Sequence, residues 1–456
     1  MTDYDVIILG GGPGGYVAAQ RLGRAGLDVL VAEPGSLGGT SLNTGCIPTQ
    51  SLLQTAKTYR QARESDAQGV RASDVGFDWA AMQSWKNKTV RTLVGGVTAT
   101  LKRLRVTVVP DAGRFLAPGL VEVGQRRLSA RHVIVATGAV PILPPIPGAI
   151  GNPRVIDSTA LLEIEQPPSR LTVIGGGAIG LEFASLFSSL GSQVTVLETL
   201  TEVAPFMDPE MAKSFRAALR PVQFKLGCRL DRISDGVVYY RTAGGEPESV
   251  AADVILMSLG RQPRFDGWGA ETSGLDITTR GVAVDDHCAT NLPGTWAVGD
   301  ITERGSSAHA ASRMGEIAAA LIIDPARAGR GQTMRWDVVP YTVFGLPEAA
   351  GAGLTERAAA AQGLDVVTAT APLVLSGRFV AERGLSPAGS VKIVVDGESR
   401  QVLGVHLIGP CATELVWGVT SLLDMELTVD DLRQIVFPHP TLAEGIREAC
   451  WAIEDR

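Results

Sequence analysis

Residues 5–33, DVIILGGGPGGYVAAQRLGRAGLDVLVAE, decide the fold. The apolar run from Asp5 to Leu9 reads as a strand buried on both faces. It ends in glycines, and Gly10, Gly12 and Gly15 have the spacing G-x-G-x-x-G, with Pro13 and Gly14 between them. YVAAQRLGRAG then has a helical period, and DVLVAE is a second strand closed by Glu33. Strand, glycine turn, helix, strand and terminal acid together form a dinucleotide-binding unit. The glycines permit a tight turn and let the backbone approach a pyrophosphate. The helix N-terminus directs unpaired N–H groups at it, and the acid accepts hydrogen bonds from ribose hydroxyls.

Residues 171–198, LTVIGGGAIGLEFASLFSSLGSQVTVLE, repeat the plan with Gly175, Gly177, Ala178, Ile179, Gly180 and Glu198. Glu33 stands 18 residues after Gly15, and Glu198 stands 18 after Gly180. A single glycine-rich turn that binds nothing is common; two copies with the same strand, helix and acid are not. A carboxylate at the end of the second strand repels a 2′-phosphate, so Glu198 favours NAD over NADP. Two such folds in one chain suggest a tightly held flavin nucleotide and an exchangeable nicotinamide nucleotide. The fingerprints alone do not say which is which.

Further along, HVIVATGAVP (132–141) and DVILMSLGRQP (253–263) each read as strand, glycine turn and proline exit, like chain crossings between two nucleotide domains. GTWAVGD (294–300) is an apolar strand closing on Asp300, and AHAASRMGEIAAALI (308–322) is helical and mostly apolar. DPARAGRGQTMRWD (324–337) resembles a linker. Beyond it VLSGRFVAE, GSVKIVVDG and QVLGVHLIG are expected to be short antiparallel strands, with helices at ATELVWGVTSLLDM and AEGIREACWAIEDR. The expected fold is therefore α/β, with two Rossmann-like domains and a C-terminal α+β domain. The boundaries are 1–145 and 263–335 for the first nucleotide domain with the central region, 146–262 for the second, and 336–456 for the last.

A chain of 456 residues, 45% apolar, can bury several cores. Its net charge of −7 gives no footprint for nucleic acid. The five cysteines are scattered, without C-x-x-C or zinc spacing, so no metal site is expected and a reduced, cytoplasmic setting fits. MTDYDVIILGGG lacks a basic segment before a long apolar run, so no secretory signal is expected, and no stretch has the length of a membrane span.

Two stretches carry candidate chemistry. GGTSLNTGCIPTQ (38–50) brings Gly39, Thr40 and one thiol, Cys46, with Ser41 five positions earlier and Gln50 at its end. HPTLAE (439–444) brings His439 and Glu444, a pair suited to a base and its orienting carboxylate. Each has a plainer reading. A lone cysteine packs as a small hydrophobe, a lone histidine before proline is commonly structural, and Thr441-x-x-Glu444 is also a capping box. His132 and His406 lie on strands, His287 in a loop, and His309 opens a helix.

In this order GGGPGGYVAAQRLG, GGT-LN-GCIPT, VIVATGAVP, VIGGGAIGLEFAS, LGRQP, TWAVGD, LGVHLIGP and HPTLAE resemble the pyridine nucleotide–disulfide oxidoreductases, most of all dihydrolipoamide dehydrogenases, nearly end to end. The absence of basic residues after Glu198 and of a vicinal cysteine pair at Cys450 separates the chain from glutathione and mercuric reductases. The resemblance implies that the first fingerprint holds FAD, together with Gly39, Thr40, Thr137, Gly138, Gly299, Asp300, Ala308 and His309. It implies that the second holds NAD, together with Gly260 and Arg261. It places Asp300 on the ribityl chain and the helix from Ala308 at the flavin pyrimidine. It also implies a homodimer formed through the C-terminal domain, in which His439 of one protomer, oriented by Glu444, serves the other.

The resemblance maps the flavin-side thiol onto Cys46 and the substrate-side interchange thiol onto Ser41, with the C-x-x-x-x-C spacing expected on one helix turn. Serine forms no disulfide and is a poor nucleophile at neutral pH. A thiol beside a flavin and at a helix start is expected to be held as thiolate. The family also places Lys where Gln50 stands, paired with the glutamate corresponding to Glu182, and often a bulky nicotinamide gate where Ala178 stands. Ser41 is either an introduced substitution or part of a natural variant, and Gln50 and Ala178 favour the second. The functions left open are three. One is a dihydrolipoamide dehydrogenase-like enzyme acting on a thiol or lipoyl-type substrate, free or protein-borne. Another is a single-thiol NADH-dependent flavoenzyme reducing oxygen, a quinone or a monothiol/disulfide substrate. The last is a catalytically silent flavoprotein subunit of a larger complex.

Overall fold

The strand Tyr4–Leu9 lies at the centre of a seven-stranded sheet. In this computed structural model, which describes residues 2–305, 307–329, 331–385 and 388–454, the chain divides into two units. One comprises 1–51, 80–142 and 260–334; the other comprises 52–79, 143–259 and 335–456. The nucleotide fold expected at 146–262 and the domain expected at 336–456 thus fall in one unit.

In the first unit the parallel strands run in the order 107–109, 29–32, 4–9, 126–135 and 295–297. An antiparallel hairpin of 113–117 and 120–123 extends the long strand 126–135. Val6, Ile7, Ile8 and Leu9 are buried, as a strand covered on both faces requires. The helix Pro13–Arg24 packs against the helix Ala308–Ile323 through glycines. A Cβ on Gly315 would stand 2.3 Å from the carbonyl oxygen of Gly14. The two crossings foreseen at 132–141 and 253–263 meet as a short antiparallel pair, Ala139–Pro141 against Arg261–Pro263.

The second unit repeats the parallel plan in the order 222–225, 193–197, 170–174, 254–257 and 155–156, with a three-stranded antiparallel sheet beside it. Its C-terminal part is a five-stranded antiparallel sheet ordered 341–343, 349–353, 402–408, 390–396 and 366–372. Val391, Ile393, Val405 and Leu407 form its core with Val416, Val419 and Ile446 from the helices Ala412–Asp424 and Glu444–Trp451. Asp455 and Arg456, at the end of the last expected helix, lie outside the described residues.

Two expectations are corrected. VLSGRFVAE is not a strand: Leu373–Leu375 is a 3₁₀ turn and Gly377–Arg383 is an α-helix. Ser376 caps it by accepting the N–H of Phe379, whose ring is the buried anchor. Ser41 and Cys46 do not share one helical turn. Ser41 lies in the short helix Gly39–Asn43, and Cys46 opens a separate helix, Cys46–Glu64, after the break at Thr44 and Gly45.

Candidate functional site

The two fingerprints separate the jobs of their glycines in the same way. Gly10 and Gly175 have φ of +109° and +105°, and a Cβ on either would lie 2.3 Å from the carbonyl oxygen of Ala136 or Ser258. Gly15 and Gly180 sit where a Cβ would stand 2.0 and 2.2 Å from the carbonyl oxygens of Gly10 and Gly175. Chain packing therefore explains the first and third glycine of each set. The second is different. A Cβ on Gly177 would meet nothing within 4 Å, and one on Gly12 only the Cα of Gly39 at 3.8 Å. Both residues are extended N-caps without a side-chain cap, at the heads of 12-residue helices starting at Pro13 and Ala178. Space above an uncapped helix N-terminus is what a pyrophosphate needs, so the residues present fit FAD and NAD.

Glu33 and Glu198 are held alike. Glu33 accepts the N–H groups of Gly11 at 2.8 Å and Gly35 at 2.9 Å. Glu198 accepts those of Gly176 at 2.7 Å and Leu200 at 2.8 Å. Each carboxylate binds its own glycine turn and the residue two places beyond itself, with lone pairs left over for a sugar hydroxyl.

The redox stretch is built onto the first fingerprint. Gly38 (φ +102°) donates its N–H to Gly11 O at 2.8 Å, and a Cβ on Gly39 (φ +54°) would stand 2.7 Å from Gly12 Cα. Asn43 Nδ2 donates to the carbonyls of Ser36, Leu37 and Gly39. The GGT turn is thereby clamped over the open glycine. Cys46 is exposed at the head of its helix, Ser41 and Gln50 are half-buried, and no cysteine is in a disulfide.

Other residues assigned to FAD gather in the same unit. Thr137 Oγ1 is buried without a hydrogen-bond partner, a polar atom that a cofactor would satisfy. Gly138 (φ +71°) turns the chain beside it. Gly299 donates its N–H to Met314 Sδ at 3.4 Å. Burial pushes the Asp300 carboxyl up, against the nearby Arg261 charge. Ala308 opens its helix, where Ser307 is the cap, and His309 Nε2 lies 3.1 Å from Ser307 Oγ. Arg261, assigned from the sequence to the nicotinamide nucleotide, donates to Thr40 Oγ1 at 3.2 Å and Ala139 O at 2.6 Å, among the residues assigned to FAD. Gly260 (φ +100°) precedes it in the same unit.

In the second unit Glu182 lies one turn into the helix Ala178–Ser189. Its Oε1 accepts the N–H of Phe344 at 3.0 Å, and one turn on Ser185 Oγ accepts that of Leu346 at 2.7 Å. Among the described residues no cation lies within ion-pair distance of Glu182, and burial pushes its carboxyl up to about 7. The final constellation also forms. His439 Nδ1 is 3.0 Å from Glu444 Oε1, while Glu444 Oε2 accepts the N–H of Thr441 at 3.0 Å. Glu444 thus meets both His439 and the Thr441 N–H, while Thr441 Oγ1 turns away to Pro438 O, so the capping box is only half made. The Thr441 N–H, then His439 and Arg447, hold the Glu444 carboxyl below its ordinary range. The His439 side chain is 73% exposed, against 4% for Glu444, which leaves Nε2 presented outward.

Sequence reasoning missed Arg261 as a companion of Thr40, since nothing in LGRQP shows where an arginine side chain turns. It also missed a buried cation, Lys392, held at 3.0 Å by Asp208, 3.1 Å by Glu210 and 2.6 Å by Glu356. Among the described residues no helix is long and apolar enough to cross a membrane, and no group of three His, Cys, Asp or Glu is placed to hold a metal.

Residues 4–315 match the family described as pyridine nucleotide-disulphide oxidoreductase, and residues 339–450 match the dimerisation domain of the same family. The dihydrolipoyl dehydrogenase of Thermus scotoductus is 37% identical over 99% of this chain and 98% of its own. That of Pseudomonas aeruginosa is 36% identical over 97% and 96%. Among solved structures, the Cu(II) complex of the HOCl-induced flavoprotein disulfide reductase RclA from Escherichia coli superposes with a TM-score of 0.84 at 27% identity, covering 98% of this chain and 100% of that one. A cysteine-to-serine mutant of that reductase, also as a Cu(II) complex, gives 0.86 at 27% identity over all of both chains. Relatives of this family use FAD and NAD(H). With both nucleotide folds, the clamped GGT turn and these matches over nearly its whole length, the chain belongs to the pyridine nucleotide-disulphide oxidoreductase family, dimerisation domain included.

Proposed function

We propose that the protein is an FAD-dependent, NAD-linked oxidoreductase of the dihydrolipoamide dehydrogenase type, whose disulfide arm is reduced to the single thiol of Cys46. The observation that carries this reading is the GGT turn packed on Gly12, which joins the thiol-bearing stretch to the first fingerprint within one unit. In this reading Gly10, Gly12, Pro13, Gly14, Gly15, Glu33, Thr137 and Asp300 hold FAD, and Gly175, Gly177, Gly180 and Glu198 hold NAD. When bound, the flavin supplies two-electron exchange with the nicotinamide.

The chain's own residues do the rest. Cys46, at a helix start, is placed to be held as thiolate. His439 offers Nε2 to take a proton from a substrate thiol, with Nδ1 fixed by Glu444. The protein acts as a homodimer in the cytoplasm, His439 serving the partner's site, on a small thiol or a lipoyl-type group. Ser41 has no sulfur with which to close a disulfide to Cys46, so dithiol turnover by the family route stops at this position.

The test is dihydrolipoamide-dependent reduction of NAD by this chain and by Ser41→Cys. We expect turnover only in the Ser41→Cys form. Equal turnover by both would sink the account of residue 41. Ser41 and Gln50 also favour a second reading, an NADH-dependent flavoenzyme that passes electrons to oxygen, a quinone or a monothiol/disulfide substrate with Cys46 as its one thiol. Bleaching of the flavin by NADH in both forms without dihydrolipoamide turnover selects that reading. A flavin that stays oxidised excludes both.

A further inference from the structure

Glu182 is a half-buried carboxylate with no cation within ion-pair distance among the described residues, one turn beyond a helix N-terminus assigned to a pyrophosphate. The helix Ala178–Ser189 begins at Gly177, where no side chain fills the space, and Glu182 sits on its second turn. The segment after strand Tyr341–Val343 covers it, pinned by the N–H groups of Phe344 and Leu346 on Glu182 and Ser185. Among the described residues the Phe344 backbone N–H is the one hydrogen-bond donor to the carboxylate.

The charged and titratable groups on the elements around it are engaged elsewhere. Glu198, ending the neighbouring strand, is tied to Gly176 and Leu200, and Lys225 on the next strand pairs with Glu248. Tyr341 bonds His406 Nδ1, and His406 Nε2 bonds Leu354 O. Glu348, further along the covering segment, faces Lys57 at 3.8 Å. With these charges paired elsewhere, burial pushes the Glu182 carboxyl up, and the Phe344 N–H opposes it. With its carboxyl near 7, the group is partly protonated at neutral pH. Two negative charges arriving at Gly177 favour the uncharged form of a nearby acid, and low-dielectric surroundings strengthen that effect.

We propose that binding of a nucleotide pyrophosphate at Gly177 is coupled to uptake of a proton by Glu182, so that affinity falls as pH rises through neutrality. The inference rests on the reading that the second fingerprint binds the nicotinamide nucleotide, and it adds that this site is proton-linked. Glu182 acts here as a positioning residue that senses charge, not as a group that reacts. By reciprocity, whatever fixes the protonation of Glu182 also sets nucleotide affinity.

The experiment uses the FAD-loaded protein and ADP-ribose, which carries the pyrophosphate but neither oxidises nor reduces the flavin. Calorimetric titration near pH 7 in buffers of different ionisation enthalpy counts the protons taken up. We expect a fractional uptake below one proton per site, and an affinity about tenfold weaker at about pH 8.5 than at about pH 5.5, the size of a one-unit rise in pKa on binding. Glu182→Gln keeps an acceptor for the Phe344 N–H and should bind with no uptake and a flat pH profile. In infrared difference spectra, the protonated-carboxyl band should vanish as pH is raised through about 7 in the parent and be missing in Glu182→Gln. Uptake that persists in Glu182→Gln, or binding by the parent with no uptake, overturns the proposal. Failure of ADP-ribose to bind either form, with the infrared band still titrating, overturns the nucleotide reading and the coupling while leaving the carboxyl's own titration established.

Discussion

At the residue scale the glycines give the sharpest expectations. Gly15→Ala and Gly180→Ala drive a methyl group into a backbone carbonyl and should lower folded yield, read by thermal unfolding and flavin content. Gly177→Ala meets open space at a φ of −77°, so the fold should survive. Its cost should appear as a loss of about tenfold or more in nucleotide affinity, because the methyl occupies the pyrophosphate's approach. Equal losses of stability in all three would remove the case that the second glycine is kept for a ligand. Glu182 yields a pH signature. Its carboxyl is raised in the folded chain, so the folded state binds the proton more tightly than the unfolded one. Stability is therefore highest below the ordinary glutamate range, and a penalty grows as pH rises toward 7 and stays above it. Glu182→Gln should match the parent near pH 4.5 and exceed it by about 1–3 kcal/mol at pH 8, a range discounted for partial exposure. Denaturant unfolding at the two pH values measures this. The glycine turns and their closing acids are legible in the sequence because their spacing is dictated by the turn they build. The destination of Arg261 was not, since a long side chain can turn either way out of a three-residue strand.

At the element scale the parallel sheets were readable because strands covered on both faces are continuous apolar runs that end at glycine turns. The C-terminal sheet was harder. Ala349–Gly353, AAGAG, carries no β-branched or aromatic residue, yet it pairs on both sides in the sheet interior, where crowding excludes a larger residue at Gly351: a Cβ there would lie 2.5 Å from His406 Nδ1. VLSGRFVAE misled in the opposite sense, since its alternation suits a strand but Ser376 supplies a helix cap. The stretch 38–50 departs from its expected helix for a related reason. Five-residue spacing fits a helix, but Thr44 and Gly45 break it between Ser41 and Cys46. Lys392 shows how elements distant in sequence are joined. It stands on strand Ser390–Asp396 and is met by Asp208 and Glu210 at the head of the helix Pro209–Ala218, and by Glu356. Burial by itself would raise the Asp208 carboxyl, but the Lys392 ammonium and the Glu356 N–H carry it below its usual range. Lys392→Met strands Asp208, fully buried, without its cation, and should cost about 3–5 kcal/mol in chemical unfolding. A loss under about 1 kcal/mol would show that the carboxylates relax into solvent.

At the scale of the whole molecule the C-terminal half leaves several large apolar side chains open to solvent. Trp417 is 77% exposed and Val436 90%, with Met425 and Trp451 also open. If these residues form the homodimer contact, Trp417→Glu combined with Val436→Asp should shift the particle from dimer to monomer in analytical ultracentrifugation. It should also abolish any turnover regained by Ser41→Cys, because His439 would lose the site it serves. A dimer that persists would move the interface elsewhere. The paired glutamates carry a different consequence, for anyone wishing to change coenzyme preference. Glu198, the residue proposed to read the sugar, is also the staple of its own turn, and Glu33 holds the same place in the other fold. An aspartate is too short to hold both N–H groups from the same backbone position, and an arginine brings no acceptor. Changing the acid to admit a 2′-phosphate would therefore release two backbone donors together, so coenzyme choice in this chain cannot be edited without also redesigning the loop that presents it.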